Sequence, residues 1–192
     1  MWVYDFILKF APIMKIPESE EFFPIVDENG NTIGEARRSV CHDGVSKLLH
    51  PVVHLHIFNS KGELYLQKRA MTKDIQPGKW DTSVGGHVSP GESVGEALKR
   101  EADEELGLKK FESRFLGRYV WESPRERELV NSFSTVTDDI PSVNKEEIEE
   151  GRFWTIEDIN KNTGKDVFTP NFENEFKMLI LPLSLLTPNP IK

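Results

Sequence analysis

The chain reads as an α/β protein in which a mixed sheet lies between helices. Two observations predict this: paired apolar stretches separated by short turn clusters in the first half, and one strongly capped amphipathic helix followed by further strands and helices. At 192 residues the chain is long enough for one domain with a full hydrophobic core and short for two, so residues 1–192 read as a single domain.

The N-terminal MWVYDFILKFAPIMKI is apolar, but Asp5 and Lys9 interrupt it and no basic leader or small-residue cleavage site frames it. Residues 1–20 therefore read as an extension packing on the body. Phe22 to Val26 and Thr32 to Arg37 flank Asp-Glu-Asn-Gly-Asn, which predicts a hairpin. Val52 to Phe58 and Glu63 to Lys68 flank Asn-Ser-Lys-Gly, a second hairpin whose mainly apolar first strand is expected at the centre of the sheet. KDIQPGKWD, Lys73 to Asp81, is a loop around Pro77-Gly78, followed by a short strand into Gly85-Gly86. The strongest helix comes next: Pro90-Gly91 turns the chain, Ser93 is the N-cap, Glu96 completes a capping box and Gly107 terminates. Phe111 to Glu122 and Glu128 to Val136 read as two more strands, the second with the alternation of a half-buried edge. Gly151 to Trp154 is a short strand, TIEDINK a helix capped by Thr155, Asn171 to Ile180 a terminal helix, and 186–192 a loose tail.

The composition, 38% hydrophobic and 29% charged with 12 Phe and 4 Trp, is that of a folded globular protein. No run is long enough to cross a bilayer, so no membrane partner is expected. A net charge of -8 argues against a nucleic-acid polymer, which requires clustered basic residues. It leaves a small phosphorylated ligand open, because a metal supplies positive charge locally. Cys41 is the single cysteine; it forms no internal disulfide, fits a reducing cytoplasm and reads as a small buried residue.

The helix after Ser93 carries the functional signal. Projected at 100° per residue, Val94, Ala97, Leu98, Ala102 and Leu106 form one apolar arc, and Glu101 and Glu105 fall inside it. Glu104 lies at its edge, while Glu96, Lys99, Arg100 and Asp103 face the other way. A run of charge is usually a solvated face, but here two carboxylates share the face that must pack on the sheet. Burying them uncompensated costs several kcal/mol, roughly, and they repel each other. Arg100 matches only part of that charge, so a cation is expected. Oxygen ligands at this spacing suit Mg²⁺ or Mn²⁺, with the Gly86 carbonyl as a further ligand.

Gly86, Glu92, Arg100-Glu101, Ala102, Asp103, Glu104-Glu105, Leu106, Gly107 and Leu108 together resemble the Nudix box, with Ala102 standing where a bulkier aliphatic is usual. The resemblance implies a Nudix-type α/β/α sandwich with a mixed central sheet. It also implies hydrolysis of a diphosphate linkage in a nucleoside diphosphate derivative or a related organic diphosphate, with Mg²⁺ held by Glu101, Glu104 and Glu105. Arg100 and Glu92 would hold those carboxylates, and Glu101, Glu104 or a residue outside the box would be the base.

LLHPVVHLHIFNSKGELYLQKRA with PGKWDTSVGGHVSPGES is further similar to the isopentenyl-diphosphate isomerase branch of that family. That similarity implies a metal site of three histidines and two glutamates, matched here by His42, His50, His87, Glu126 and Glu128. Two departures point away from isomerisation: Gly85 stands where the isomerases carry a cysteine, and the R-E-x-x-E-E segment those enzymes lack is intact. The reading is an isomerase-like hydrolase. The alternatives are an allylic diphosphate isomerase and a nucleotide-binding module without turnover.

His54 and His56 share a strand face and read as locally satisfied sheet histidines. His87, beside the box glycines, is open between ligand and structural residue. Lys68 and Arg69 suit a phosphate clamp or a solvated surface, Trp80 a stacking platform or the core, and Glu126 with Glu128 an acidic pair or a solvated strand. The expected partner is a small-molecule diphosphate; a homodimer is also open.

Overall fold

A computed structural model describes residues 21–186, except positions 74, 140 and 146, and leaves the side chains of 185 and 186 undefined. The expected extension, 1–20, and residues 187–192 of the expected tail lie outside the described residues. Leu186, read as the start of that tail, instead closes a helix.

β1 (Phe22–Val26) and β2 (Thr32–Arg37) form the first hairpin, followed by a single turn, α1 (Arg38–Cys41), that the sequence reading did not anticipate. β3 (Leu49–Phe58) is central, buried along its whole length, and begins three residues earlier than its apolar run. β4 (Leu64–Arg69), β5 (Trp80–Asp81) and β6 (Val84–His87) precede α2 (Val94–Leu106). β7 (Arg114–Glu122), β8 (Arg127–Val136) and β9 (Ile148–Trp154) follow, then α3 (Ile156–Asn162) and α4 (Pro170–Glu175). The expected terminal helix is present but irregular: α4 passes into a π-helical segment, Phe176–Ile180, before α5 (Leu181–Leu186).

β3 runs parallel to β8 and antiparallel to β4 and β6, so the sheet is mixed. β8 is a correction: it lies inside the sheet between β3 and β7, not at an edge. Its polar residues Asn131, Ser132, Ser134 and Thr135 are buried rather than solvated, and Asn131 and Thr135 have hydrogen-bond partners. Asn131 donates to the carbonyl of Val52 at 3.2 Å and accepts from Arg118 Nε at 2.9 Å, which lets an edge-like sequence occupy an interior position.

The sheet is covered on both faces, giving an α/β/α sandwich. Ala97, Leu98, Ala102 and Leu106 of α2 pack on Val53, Leu55 and Ile57 of β3. Ile159, Phe168, Phe172, Phe176 and Ile180 cover Phe58, Leu64 and Leu66 on the other side. α2 begins with the predicted capping box on Ser93 and ends on Gly107 in the left-handed conformation, φ 66°. These signals fix which residues face the sheet.

One topological detail creates the functional site. β3 pairs with β4 only through Ile57 and Phe58, after which the strands part. β4 continues against β5 and β9, and β3 against β6 and β8. A wedge opens between the two arms.

Candidate functional site

The wedge is a cavity of about 1260 Å³. Gln67, Arg69 and Asp81 line it from one arm and His54, Gly85, Gly86 and His87 from the other; Glu101 and Glu105 reach in from α2.

The first cluster comes from α2. Glu105 is buried, accepting from Gln67 Nε2 at 3.1 Å and from the Gly85 amide at 3.3 Å. Glu101 lies directly under Gly86: a Cβ at that position would fall 2.0 Å from the Glu101 carboxyl carbon, so any larger residue there would displace that carboxylate. Arg100 ties the acidic residues together. Its Nε and Nη2 each donate to Glu92 at 2.9 Å, Nη1 to Glu101 at 2.8 Å and Glu104 at 3.1 Å, and Nη2 also to the His87 carbonyl at 2.9 Å. Glu92 is itself anchored by the Ser89 amide. Burial raises the Glu101 carboxyl to about 7 against the pull of Arg100, and raises Glu105 to about 8, with repulsion from Glu101 adding to the effect. One guanidinium does not balance this charge.

The second cluster draws on four separate segments. One nitrogen from each of His42, His50 and His87 lies within 4.8 Å of the others. Nε2 of each is buried without a hydrogen-bond partner among the described residues, though Glu126 Oε2 is 3.3 Å from His42 Nε2. Nδ1 of His50 donates to the Leu48 carbonyl at 3.0 Å, which leaves Nε2 as the bare lone pair. Burial and the Arg38 guanidinium lower His42 to about 4; burial also lowers His50, and it holds His87 well below the usual imidazole range. Neutral imidazoles in a buried group are ligands in waiting. Glu126 and Glu128 are both buried beside them, and burial with repulsion from Glu126 raises Glu128 to about 8. Phe23 of β1 closes this cluster from above, stacked on His87 at 4.1 Å between centroids and 5° between planes, and on His50 at 5.3 Å.

Between the clusters lies a buried polar network. Glu175, at the end of α4 and fully buried, accepts from His54 Nδ1 at 2.6 Å, and its other oxygen is 3.1 Å from His56 Nε2. His56 Nδ1 meets the Thr82 hydroxyl at 3.2 Å. Tyr119 donates to Asn171 Oδ1 at 2.8 Å, and Asn171 Nδ2 to Glu128 at 3.3 Å.

Most of the residues singled out from the sequence converge on the wedge. Glu101, Glu105, Gly86, His87, His42, Glu126, Glu128 and Arg69 line it, and His50 completes the imidazole group. Glu92 and Arg100 stand behind the carboxylates, while Glu104, half-exposed, sits at the rim on Arg100. For two candidates the structure takes the other of the two alternatives, away from substrate. Lys68 alternates away from Gln67 and Arg69, and its ammonium pairs with Glu149 at 2.8 Å outside the cavity. Trp80 is a core residue, edge-on to Trp154 at 5.1 Å with Arg152 over its ring. The aromatic that does line the wedge is Trp121. Trp121, Tyr119, Arg38 and Glu175 were missed because each belongs to the site only through pairings between segments distant in the chain. His56, beside Thr82 and Glu175, keeps to the sheet interior; His54 is partnered by Glu175 and also lines the cavity.

The NUDIX domain model matches residues 48–172, which spans β3 through α4 and therefore both clusters except His42. The chain belongs to the Nudix family. This Nudix enzyme is 33% identical over 160 residues to isopentenyl-diphosphate Delta-isomerase 1 of Photorhabdus laumondii, covering 79% of this chain and 90% of that one. It is 35% identical over 133 residues to an uncharacterised Nudix hydrolase of Pseudomonas aeruginosa, covering 69% and 78%. Among solved structures, a Deinococcus radiodurans protein matches with a TM-score of 0.70 at 25% identity, over 82% of this chain and 98% of that one. The MutT protein of Methanosarcina mazei matches with a TM-score of 0.60 at 26% identity, over 69% and 94%. Relatives named as isomerases and as hydrolases thus both resemble this Nudix chain.

Proposed function

We propose that this Nudix enzyme is a divalent-metal-dependent hydrolase of a diphosphate linkage, in a nucleoside diphosphate derivative or a related organic diphosphate, acting in the cytoplasm. The observation that carries the reading is the placement of Glu101 and Glu105 inside the cavity, Glu105 buried and Glu101 partly so, with a single arginine that reaches Glu101 but not Glu105. Hard oxygen donors from Glu101, Glu104, Glu105 and the Gly86 carbonyl fit Mg²⁺ or Mn²⁺. The imidazole group with Glu126 and Glu128 fits an ion that accepts nitrogen ligands, such as Mn²⁺ or Zn²⁺. A bound divalent ion supplies charge to offset the diphosphate and lowers the pKa of a coordinated water.

The chain's own residues supply the rest. Arg100 and Glu92 fix the carboxylates so that they need not reorganise as substrate enters. Glu101 or Glu104 takes the proton of the attacking water. Arg69, held by Asp81 at 3.2 Å and by the Ile75 carbonyl, presents its guanidinium to the cavity as an anion contact.

Incubation of the protein with a panel of nucleoside diphosphate derivatives and prenyl diphosphates, with Mg²⁺ or Mn²⁺, tests the reading. Release of phosphate or monophosphate that a chelator abolishes is expected; no turnover on the whole panel sinks it. A second reading, isomerisation of an allylic diphosphate, is favoured by the assembled His42, His50, His87, Glu126 and Glu128 group. Against it stands Gly85, which leaves no acid or base at that position. Deuterium incorporation into isopentenyl diphosphate separates the two readings.

A further inference from the structure

The Gly85 position looks different once its surroundings are considered. Unlike Gly86, it is under no severe steric demand: a Cβ there would lie 3.4 Å from Thr82 Cγ2 and 3.6 Å from His54 Cδ2, close but without serious overlap. Its φ also lies outside the left-handed range. What the missing side chain does is uncover the outer edge of His54, which pairs with Gly85 across β3 and β6 and whose Nε2 would be 3.8 Å from that Cβ.

His54 is held for a task that packing does not require. Its Nδ1 is committed to Glu175, a carboxylate with no solvent exposure at the junction of α4 and the π-helical segment. Its Nε2 has no partner among the described residues, and the ring lines the cavity between the carboxylate and imidazole clusters. Single-turn π segments recur at functional sites because they re-aim the residues around them.

We propose that His54 is a substrate-contacting residue: its Nε2–H, on an imidazole pinned through Nδ1 by Glu175, donates to a phosphoryl oxygen of the diphosphate across the opening left by Gly85. Glu175 is then a positioning residue, because it acts through the ring. Electrostatics supports the assignment. Burial opposes charge on His54, but Glu175, with Glu128 and Asp81 farther off, lifts it to about 9, so the ring offers a charged donor at neutral pH. The inference rests on the diphosphate reading but not on turnover.

The test is designed around the two ring nitrogens. Asparagine reproduces the Nδ1 donor and lacks the outer one, whereas glutamine reproduces the Nε2 donor. Calorimetric binding of methylenediphosphonate, a diphosphate mimic that cannot be hydrolysed, is measured with Mg²⁺ for the unmutated protein, H54N and H54Q. Loss of one charge-assisted hydrogen bond weakens binding about 10- to 100-fold in H54N; H54Q falls between the two. Should either variant fold poorly, ¹⁵N-imidazole spectra of the unmutated protein decide: Nε2 of His54 shifts on addition of the diphosphonate while Nδ1 stays. Wild-type affinity in H54N, an unmoved Nε2 resonance, or no binding by the unmutated protein overturns the inference. Binding through His54 without hydrolysis of any panel substrate would overturn the hydrolase reading alone.

Discussion

The two acidic and imidazole clusters of the wedge are built in opposite ways. Glu101, Glu104 and Glu105 sit on one helix within two turns, so one capping box and one apolar arc determine their positions. His42, His50, His87, Glu126 and Glu128 come from the end of α1, from β3, β6 and β8, and meet only once the parallel β3–β8 pairing and the β3–β6 pairing are both made. The first cluster is a property of local geometry and the second of tertiary structure. A cluster on one helix has its spacing set within that helix, whereas one assembled from four elements reports on the whole sheet.

The largest expected effect separates catalysis from stability in the helical cluster. Glu105→Gln is expected to lower kcat by about 10²–10³-fold, the scale of losing one preorganised charged group. In chelator-treated protein at pH 8 the same change raises the thermal midpoint, because a neutral amide replaces a carboxylate that burial already holds at about 8. A lowered midpoint would mean that Glu105 is stabilising without metal. Next, Arg100→Lys loses the fork that reaches Glu92, Glu101 and Glu104 together. A 10- to 100-fold rise, roughly, in the Mg²⁺ concentration for half-maximal activity follows. An unchanged metal requirement would remove Arg100 from the site.

His50→Asn probes the assembled cluster, since it keeps a donor near the Leu48 carbonyl and deletes the bare Nε2. Titration with Mn²⁺ is expected to lose the imidazole-bound ion and keep the carboxylate-bound one; loss of both would make the clusters a single cooperative site. The smallest effect is in the pH dependence of stability without metal. Glu101, Glu105 and Glu128, raised to about 7, 8 and 8, and His54, raised to about 9, hold protons in the folded chain that the unfolded chain has released. Their contribution is complete below the unfolded pKa values and is lost as pH climbs through the folded ones. For the carboxylates the loss begins near pH 4.5, where the lowered His42, His50 and His87 oppose it, so the net fall in the thermal midpoint of chelated protein should lie between about pH 6.5 and 9. Mg²⁺ or Mn²⁺ should flatten the decline, and a midpoint rising across that range would contradict the buried carboxylates.

This division also explains what could be read from the chain. The hairpin over Phe22 to Arg37, central β3, the cap on Ser93 and the inward face of Glu101 and Glu105 all follow from patterns shorter than twenty residues, roughly. Partners of β8 did not, because Asn131 and Ser132 look solvent-facing until Arg118 and the Val52 carbonyl are seen to satisfy Asn131. The roles of Lys68 and Trp80 turned on which side of β4 and β5 faces the wedge, and strand alternation gives two equivalent answers until the partner strands are known. Glu175 offered no signal at all. It lies 121 residues from His54, in a segment whose periodicity announces only a helix.

Phe23 carries a consequence for how the protein reports on its own occupancy. The Phe23 ring of the first hairpin lies face to face with His87 and His50, which couples the docking of β1 to the ordering of the imidazoles. An ion or ligand that binds more tightly when β1 is docked must favour that docking by the same factor, since linkage is reciprocal. Amide hydrogen exchange along Phe22–Val26 therefore acts as a built-in gauge of ligand binding, read on a strand outside the domain-model match.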